Sequence, residues 1–168
     1  MILRCTRRAC DLLRVQLAPD IPPAEDDWYL NVLWIDRRKC LLFMHATTLF
    51  SVFVADVRAA DVRPIGAYAV RVLQAGLSAE ALPLDCLGTL DPVDVRPAKT
   101  ASRSVLGVMN DLARLSRYQV ARAGGLPRTD VAELNRFLRR TPHARDGYVW
   151  PLDLVTARLA GRSAPGGE

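Results

Sequence analysis

Apolar residues are distributed along the chain in two different patterns. The pattern of nearly continuous apolar runs predicts β-structure. Three segments rich in aromatic and β-branched residues, WYLNVLWI, CLLFMH and LFSVFVADV, are separated only by DRRK and ATT. Short polar connections between such segments are typical of an antiparallel meander, which we place at about residues 28–57. The segments are too apolar to alternate between a core face and a solvent face. We therefore expect helices to cover both faces of the sheet, or nearly so.

Helical periodicity predicts most of the other elements, and MILRCT predicts a short strand ahead of them. Helices are expected over RRACDLLRVQL, PIGAYAVRVLQAGL, SVLGVMNDLARLSRYQVAR, DVAELNRFLRR and near WPLDLVTARL. VDVRPAK predicts an edge strand, because Pro97 cannot donate a hydrogen bond inside a sheet. Together these elements predict a single α+β domain over residues 1–160, with a mostly antiparallel sheet of four or five strands and four or five helices. Residues 161–168, GRSAPGGE, are expected to form a disordered tail.

Composition excludes several classes of protein. No apolar run approaches the ~20 residues that a membrane span requires, and the N-terminus lacks the apolar core of a signal peptide. The cysteines contain no C-x-x-C pair, which favours reduced, buried thiols and a cytoplasmic protein without membrane association. They are Cys5, Cys10, Cys40 and Cys86. Sequence motifs of metal, dinucleotide and P-loop sites are missing, so no metal or cofactor is predicted.

Positive charge is concentrated in one part of the chain, and the cations are arginines except for Lys39 and Lys99. Residues 1–95 contain ten Lys and Arg against twelve Asp and Glu, whereas residues 96–145 contain eleven against three. Such asymmetry within one small domain points to an anionic partner for the second part.

The string AKTASRSVLGVMND, residues 98–111, leads into a helix with two different faces. At about 100° per residue, one face collects the apolar side chains of Val105, Val108, Met109, Leu112 and Leu115. The opposite face collects Arg103, Gly107, Asn110, Arg114 and Arg117, and is flanked by Ser104, Asp111 and Tyr118. The first face is explained by the core. The second face predicts a surface that carries several guanidinium groups, an amide and a glycine that allows close approach.

The start of this helix predicts an anion site. Thr100, Ser102 or Ser104 can cap it, and the free N–H groups of the first turn attract negative charge. Lys99 and Arg103 stand beside that end, as in sites that hold phosphate. The alternative is a capped amphipathic helix with solvated arginines. The predicted ligand-binding residues are Lys99, Thr100, Ser102, Arg103, Ser104, Asn110, Asp111, Arg114 and Arg117.

AKTASRSVLGVMNDLA, together with MILRCT, DDWY and LWIDRRKCLLFMHATTLFSVFV, resembles an uncharacterised bacterial family, a domain of unknown function. The core motif of that family reads KTxSRSVLGxMN followed by Asp or Glu. The resemblance covers most of residues 1–145 and implies no activity, cofactor or catalytic residue. It does imply that the motif positions are Lys99, Thr100, Ser102, Arg103, Ser104, Gly107, Asn110 and Asp111.

His45 is the candidate catalytic residue, because it ends an apolar strand where a side chain can reach an open sheet edge. Its neighbour across the first hairpin depends on the register. A turn with Arg37 and Arg38 at its tip places His45 across from Leu30. A loop one residue longer places His45 across from Asn31 instead.

If His45 lies near Lys99 and Arg103, it can serve as the general acid or base of a metal-independent nuclease or phosphotransfer enzyme. A lone histidine on a strand is otherwise a hydrogen-bonded structural residue. The sequence does not show that these residues meet.

Three more groups of side chains are weaker candidates. The acids Glu25, Asp26 and Asp27 lie in a proline-rich loop and are expected to be solvated rather than bound to Mg²⁺. The cluster Arg136, Arg139 and Arg140, with Arg128 and Arg145 nearby, could follow a phosphate backbone. Aromatic side chains that could stack on bases are few, and Phe137 is expected in the core. They are Tyr118, Phe137, Tyr148 and Trp150.

Three functions therefore remain open. The first is binding of nucleic acid or another phosphate-bearing ligand at the helix start around Lys99–Ser104. The second is a protein interaction module, in which the arginine face meets an acidic partner or a second copy of the chain. The third is a small enzyme that uses His45.

Overall fold

A mixed β-sheet runs through the middle of the protein and separates two layers of helices. The computed structural model describes residues 1–144 and 147–163. In this part of the chain the strands are β1 (Ile2–Cys5), β2 (Trp28–Ile35), β3 (Arg38–His45), β4 (Ser51–Val54), β5 (Arg96–Lys99), β6 (His143–Ala144) and β7 (Tyr148–Val149). The α-helices are α1 (Arg7–Leu13), α2 (Ile65–Ser78), α3 (Arg103–Arg122), α4 (Val131–Arg140) and α5 (Pro151–Ser163).

The central sheet has the strand order β4-β3-β2-β1-β5. β2, β3 and β4 form the predicted antiparallel meander, and β5 is the predicted edge strand. β1 runs parallel to both of its neighbours, so the sheet as a whole is mixed. The predicted α+β class is confirmed, and β6 pairs with β7 in a separate two-stranded antiparallel sheet.

Each face of the sheet has its own core. The first core joins one face to α1, α2 and Val155 of α5, and includes Leu3, Trp28, Leu30, Phe43, Phe50 and Leu73. The second joins the other face to α3 and α4, and includes Tyr29, Leu33, Leu42, Met109, Leu112 and Leu138. Alternate residues of β2 enter different cores because successive side chains of a strand point to opposite faces. The expectation of a sheet covered on both faces is confirmed.

The β2–β3 hairpin has a register that neither sequence alternative contained. Asp36 and Arg37 form its two-residue turn, both with positive φ (48° and 63°), the geometry of the turns that join twisted strands most tightly. This turn pairs Trp28 with His45 and Asn31 with Leu42. The predicted pairings of His45 with Leu30 or Asn31 are therefore wrong. The turn lies at Asp36 and Arg37, one residue earlier than the expected tip at Arg37 and Arg38.

Two further expectations are corrected, and α5 is longer than expected. α1 ends at Leu13 rather than at residue 17, because Arg14 adopts a left-handed conformation at the C-cap, with φ 52°. Phe137 is 38% exposed rather than buried in the core. α5 extends to Ser163, into the predicted tail; residues 164–168 and Arg145 lie outside the described residues.

The four cysteines are free, three of them buried and Cys10 partly exposed. Within the described residues, no helix combines the length and the apolar character needed to cross a bilayer.

Candidate functional site

The start of α3 is fixed by two hydrogen bonds of Ser102, one through its side chain and one through its backbone N–H. Ser102 is the N-cap, and its Oγ accepts a bond from the N–H of Val105 at 3.4 Å. The N–H of Ser102 donates to the Tyr29 hydroxyl of β2 at 3.1 Å. Ser104 lies beside the cap, with its Oγ 3.1 Å from that of Ser102. Among the three predicted caps, Ser102 thus has the capping role.

Arg4 holds the segment immediately before this helix. Its Nη1 donates to the Lys99 carbonyl at 3.0 Å, and its Nη2 donates to the carbonyls of Ile21 and Pro22 at 3.0 and 2.8 Å. Its Nε lies 2.5 Å from Asp27 Oδ2. The backbone from β5 into α3 is therefore anchored at Lys99 and again at Ser102. The side chains of Lys99 and Arg103 remain exposed.

The polar face of α3 borders an open pocket of about 520 Å³. β2 supplies the inner wall and α1 supplies one arginine at the rim. The lining residues are Arg8, Asn31, Leu33, Gly107, Asn110, Asp111, Ala113, Arg114 and Arg117. Four of the predicted ligand residues meet here, namely Asn110, Asp111, Arg114 and Arg117. Lys99, Thr100, Ser102, Arg103 and Ser104 belong to the helix start and do not line the pocket.

The side-chain amide of Asn31 is oriented by the hydroxyl of Thr6. The Thr6 hydroxyl accepts the N–H of Ala9 at the start of α1, so its hydrogen is free to donate to Asn31 Oδ1 at 3.0 Å. This bond leaves the Nδ2 donors of Asn31 available to the pocket. Sequence reasoning did not identify Arg8 or Asn31 as site residues, because α1 and β2 meet α3 only in the tertiary fold.

The family model described as "Domain of unknown function (DUF6933)" matches residues 2–154. The chain belongs to this family. Among curated proteins, no match to the chain is found. The matched region includes the whole central sheet, the Lys99–Asp111 motif and every residue that lines the pocket beside α3.

Charge in the pocket beside α3 is predominantly positive. Arg114 forms an ion pair with Asp111, both on the exposed side of α3. Within the described part of the chain, Arg8 and Arg117 have no carboxylate partner. Asp111 is the single acid among the lining residues, so the pocket can attract an anion.

His45 lies apart from this site and inside the first core, with 0% exposure. The Thr48 N–H donates to its Nδ1 at 3.3 Å, which places the ring hydrogen on Nε2, 3.9 Å from Asp26 Oδ1. Burial lowers the pKa of His45 to about 4, against an opposing effect of Asp26. β2 and β1 separate β3 from β5, so three strand spacings of about 4.8 Å put His45 roughly 14 Å from the strand that carries Lys99. At that separation His45 and Lys99 do not meet at one substrate.

The predicted acidic and basic clusters are largely engaged within the protein. Asp27 is buried against Arg4, and Asp26 pairs with Arg158 of α5, so the expectation that both are merely solvated is wrong. Glu80 lies between Arg139 and Arg140, with N–O distances of 3.0 and 2.8 Å. These two arginines are therefore structural. No group of three or more His, Cys, Asp or Glu in the described residues is arranged to hold a metal ion.

Proposed function

We propose that this protein binds a phosphate-bearing chain, nucleic acid in the first instance, along the exposed face of α3. The observation that carries the proposal is the pocket in which Arg114, Arg117 and Asn110 of α3 meet Arg8 and Asn31. Guanidinium groups form paired hydrogen bonds with phosphate oxygens, and amide N–H groups add neutral donors. Together these residues offer an anion several converging donors.

The cationic side chains on the exposed face of α3 form a row, which supports an extended ligand. The row consists of Arg103, Arg114 and Arg117. Arg103 and Arg117 are separated by three to four turns of α3, or about 21 Å at 1.5 Å per residue. One strand of B-DNA presents a phosphate about every 3.4 Å of axis, so the row is long enough to meet several phosphates. Lys99 and the positive end of the α3 dipole extend the row at its N-terminal end.

The preorganised backbone also supports the proposal. Arg4 and Tyr29 fix the chain on either side of the Lys99–Ser102 segment, so a ligand need not order it on binding. His45 has no part in the proposal, because it is buried in the other core. The enzyme alternative therefore loses His45 as its general acid or base beside the arginines.

Fluorescence anisotropy with labelled single-stranded RNA, single-stranded DNA and duplex DNA tests the proposal. Affinity is expected to fall steeply between about 50 mM and 200 mM salt, because each neutralised phosphate releases counterions. Arg8→Gln and Arg117→Gln should each weaken binding and reduce the magnitude of the salt slope by about one. Arg58→Gln is the matched control, since Arg58 is exposed and does not line the pocket.

Three results would overturn the proposal. The first is binding that does not change with salt or with either arginine variant. The second is an absence of nucleic-acid binding combined with a homodimer, seen by light scattering, that Arg117→Gln dissociates. The second result would assign the α3 face to self-association. Capture of an acidic protein by the same face, without nucleic-acid binding, would assign it to a protein partner.

A further inference from the structure

A second groove lies along the opposite edge of the sheet, where α2 and α4 flank β4. Its volume is about 330 Å³. The floor consists of Val52 and Val54. The walls are formed by Arg71, Val72, Ala75, Gly76 and Ala79 of α2, and by Val131, Ala132, Asn135, Arg136 and Arg139 of α4. Gly76 permits this close packing, because a Cβ there would lie 2.6 Å from Val52 Cγ2.

The outer edge of β4 is already paired by side chains of α4. Asn135 Oδ1 accepts the Phe53 N–H at 2.7 Å, and Asn135 Nδ2 donates to the Phe53 carbonyl at 2.8 Å. Arg139 Nε donates to the Ser51 carbonyl at 2.9 Å. An added β-strand would find these groups occupied. The groove therefore offers a ligand an apolar floor rather than backbone hydrogen bonds.

Charge at this groove is positive and uncompensated. At one end Glu80 pairs with both Arg139 and Arg140, so one negative charge faces two positive charges there. Arg71 stacks on Tyr68, 5.0 Å from the ring centroid, and Arg136 is exposed. In the described residues neither Arg71 nor Arg136 has a carboxylate partner, and the lining contains no acid.

We infer that this groove binds a small amphipathic carboxylate, an aliphatic chain with one acidic head. The aliphatic side chains and the alanines would cover the chain, and Arg71 and Arg136 would bind the carboxylate. The lining of α4 extends from Val131 to Arg139, about 12 Å at 1.5 Å per residue. The volume lies at the small end of ligand pockets, which favours a single chain over a helix of a protein partner.

Calorimetry and amide NMR of the full chain, with decanoate as the probe, test this inference. Decanoate should bind saturably and shift the amide signals of Ala75, Ala79 and Ala132. Decanol and decyltrimethylammonium, which share the chain but lack the carboxylate, should bind at least about tenfold more weakly, as expected when a charged hydrogen bond is lost. Arg136→Gln should weaken decanoate binding by a similar factor and leave decanol binding unchanged.

Matched variants separate this groove from the α3 face. Ala132→Trp fills the groove from an exposed helix position and should abolish decanoate binding; Ala75→Trp repeats the test from α2. Arg117→Gln and Arg58→Gln should leave decanoate binding unchanged. Equal binding of the three probes, no saturable decanoate binding, or full binding by both tryptophan variants would overturn the inference. So would a homodimer that Ala132→Trp dissociates without any decanoate binding, since the groove would then belong to a second copy of the chain.

Discussion

Arg4 and Asp27 form an ion pair inside the protein, with Nε 2.5 Å from Oδ2 and each side chain only 2% exposed. Arg4 also donates to three backbone carbonyls, and Asp27 Oδ2 accepts the Ala24 N–H at 3.0 Å. The pair thus joins β1, the loop before β2 and the end of β5. Two buried charges with this many partners fix the geometry from which α3 begins.

Asp27→Asn is expected to destabilise the protein by about 3–5 kcal/mol, because it leaves the guanidinium of Arg4 buried without its carboxylate. Urea unfolding followed by circular dichroism measures the change. Asp20→Asn is the control, since Asp20 lies exposed in the same loop. Equal stability of the two variants would contradict a structural role for the pair.

Tyr29→Phe should destabilise the protein by about 1 kcal/mol, the usual net value of one hydrogen bond, and should loosen the start of α3. The hydroxyl that accepts the Ser102 N–H is lost, while the buried ring remains. Hydrogen exchange at the Ser102 amide is therefore expected to accelerate. Tyr148→Phe, at an exposed ring, should change neither quantity. Unchanged exchange at Ser102 in Tyr29→Phe would show that the helix start does not depend on this contact.

His45 predicts a pH dependence of stability. Burial lowers its pKa to about 4, so the unfolded chain binds a proton near pH 6.5 that the folded protein binds only near pH 4. Stability should therefore be full above about pH 6.5 and decrease as the pH falls toward 4. The loss is of the order of 3 kcal/mol at about 1.4 kcal/mol per pKa unit.

Urea unfolding at a series of pH values tests this expectation. His45→Gln should lose most of the slope between pH 6.5 and 4. Burial also lowers the pKa of His143, against an opposing effect of Asp111, so His143→Gln provides the comparison. An identical slope in wild type and His45→Gln would assign the pH dependence to other groups.

Asn135→Leu should destabilise the protein by about 2–4 kcal/mol and promote self-association. The change removes both hydrogen bonds to Phe53 and leaves the edge of β4 open to pairing with another chain. Light scattering over a range of concentrations and urea unfolding measure the two effects. A variant with the same oligomeric state as the wild type would show that Arg139 and the helices alone are enough to protect the edge.

The elements set by local sequence were predictable, and the contacts made by β1 were not. The aromatic and β-branched runs indicated the meander, and helical spacing indicated α2, α3 and α4. The parallel pairing of β1 with β5 joins residues more than ninety positions apart, as in Ile2 and Arg96. No local pattern encodes that pairing. For the same reason Asp27 was expected to be solvated, since its partner Arg4 comes from a strand that local reasoning could not position.

The residues of the candidate site likewise include some that were predictable from local sequence and some that were not. The helical wheel placed Asn110, Arg114 and Arg117 on one exposed face of α3, because helical geometry is local. Arg8 and Asn31 complete the pocket through tertiary packing and gave no sequence signal. The residue opposite His45 depends on the register of the β2–β3 hairpin, which changes when the turn shifts by one residue. The turn at Asp36 and Arg37 was hard to predict, because two consecutive non-glycine residues with positive φ are uncommon.

The position of β1 has a consequence for the synthesis of the chain. Among the strands of the central sheet β1 is synthesised first, yet it lies between β2 and β5 in the finished sheet. The meander can assemble as soon as residue 54 has emerged, whereas β1 keeps one open edge until residue 99 follows. Until then the N-terminal strand depends on β2 and α1 alone. Completion of the sheet and formation of the Arg4 anchor at Lys99 are therefore the same late event.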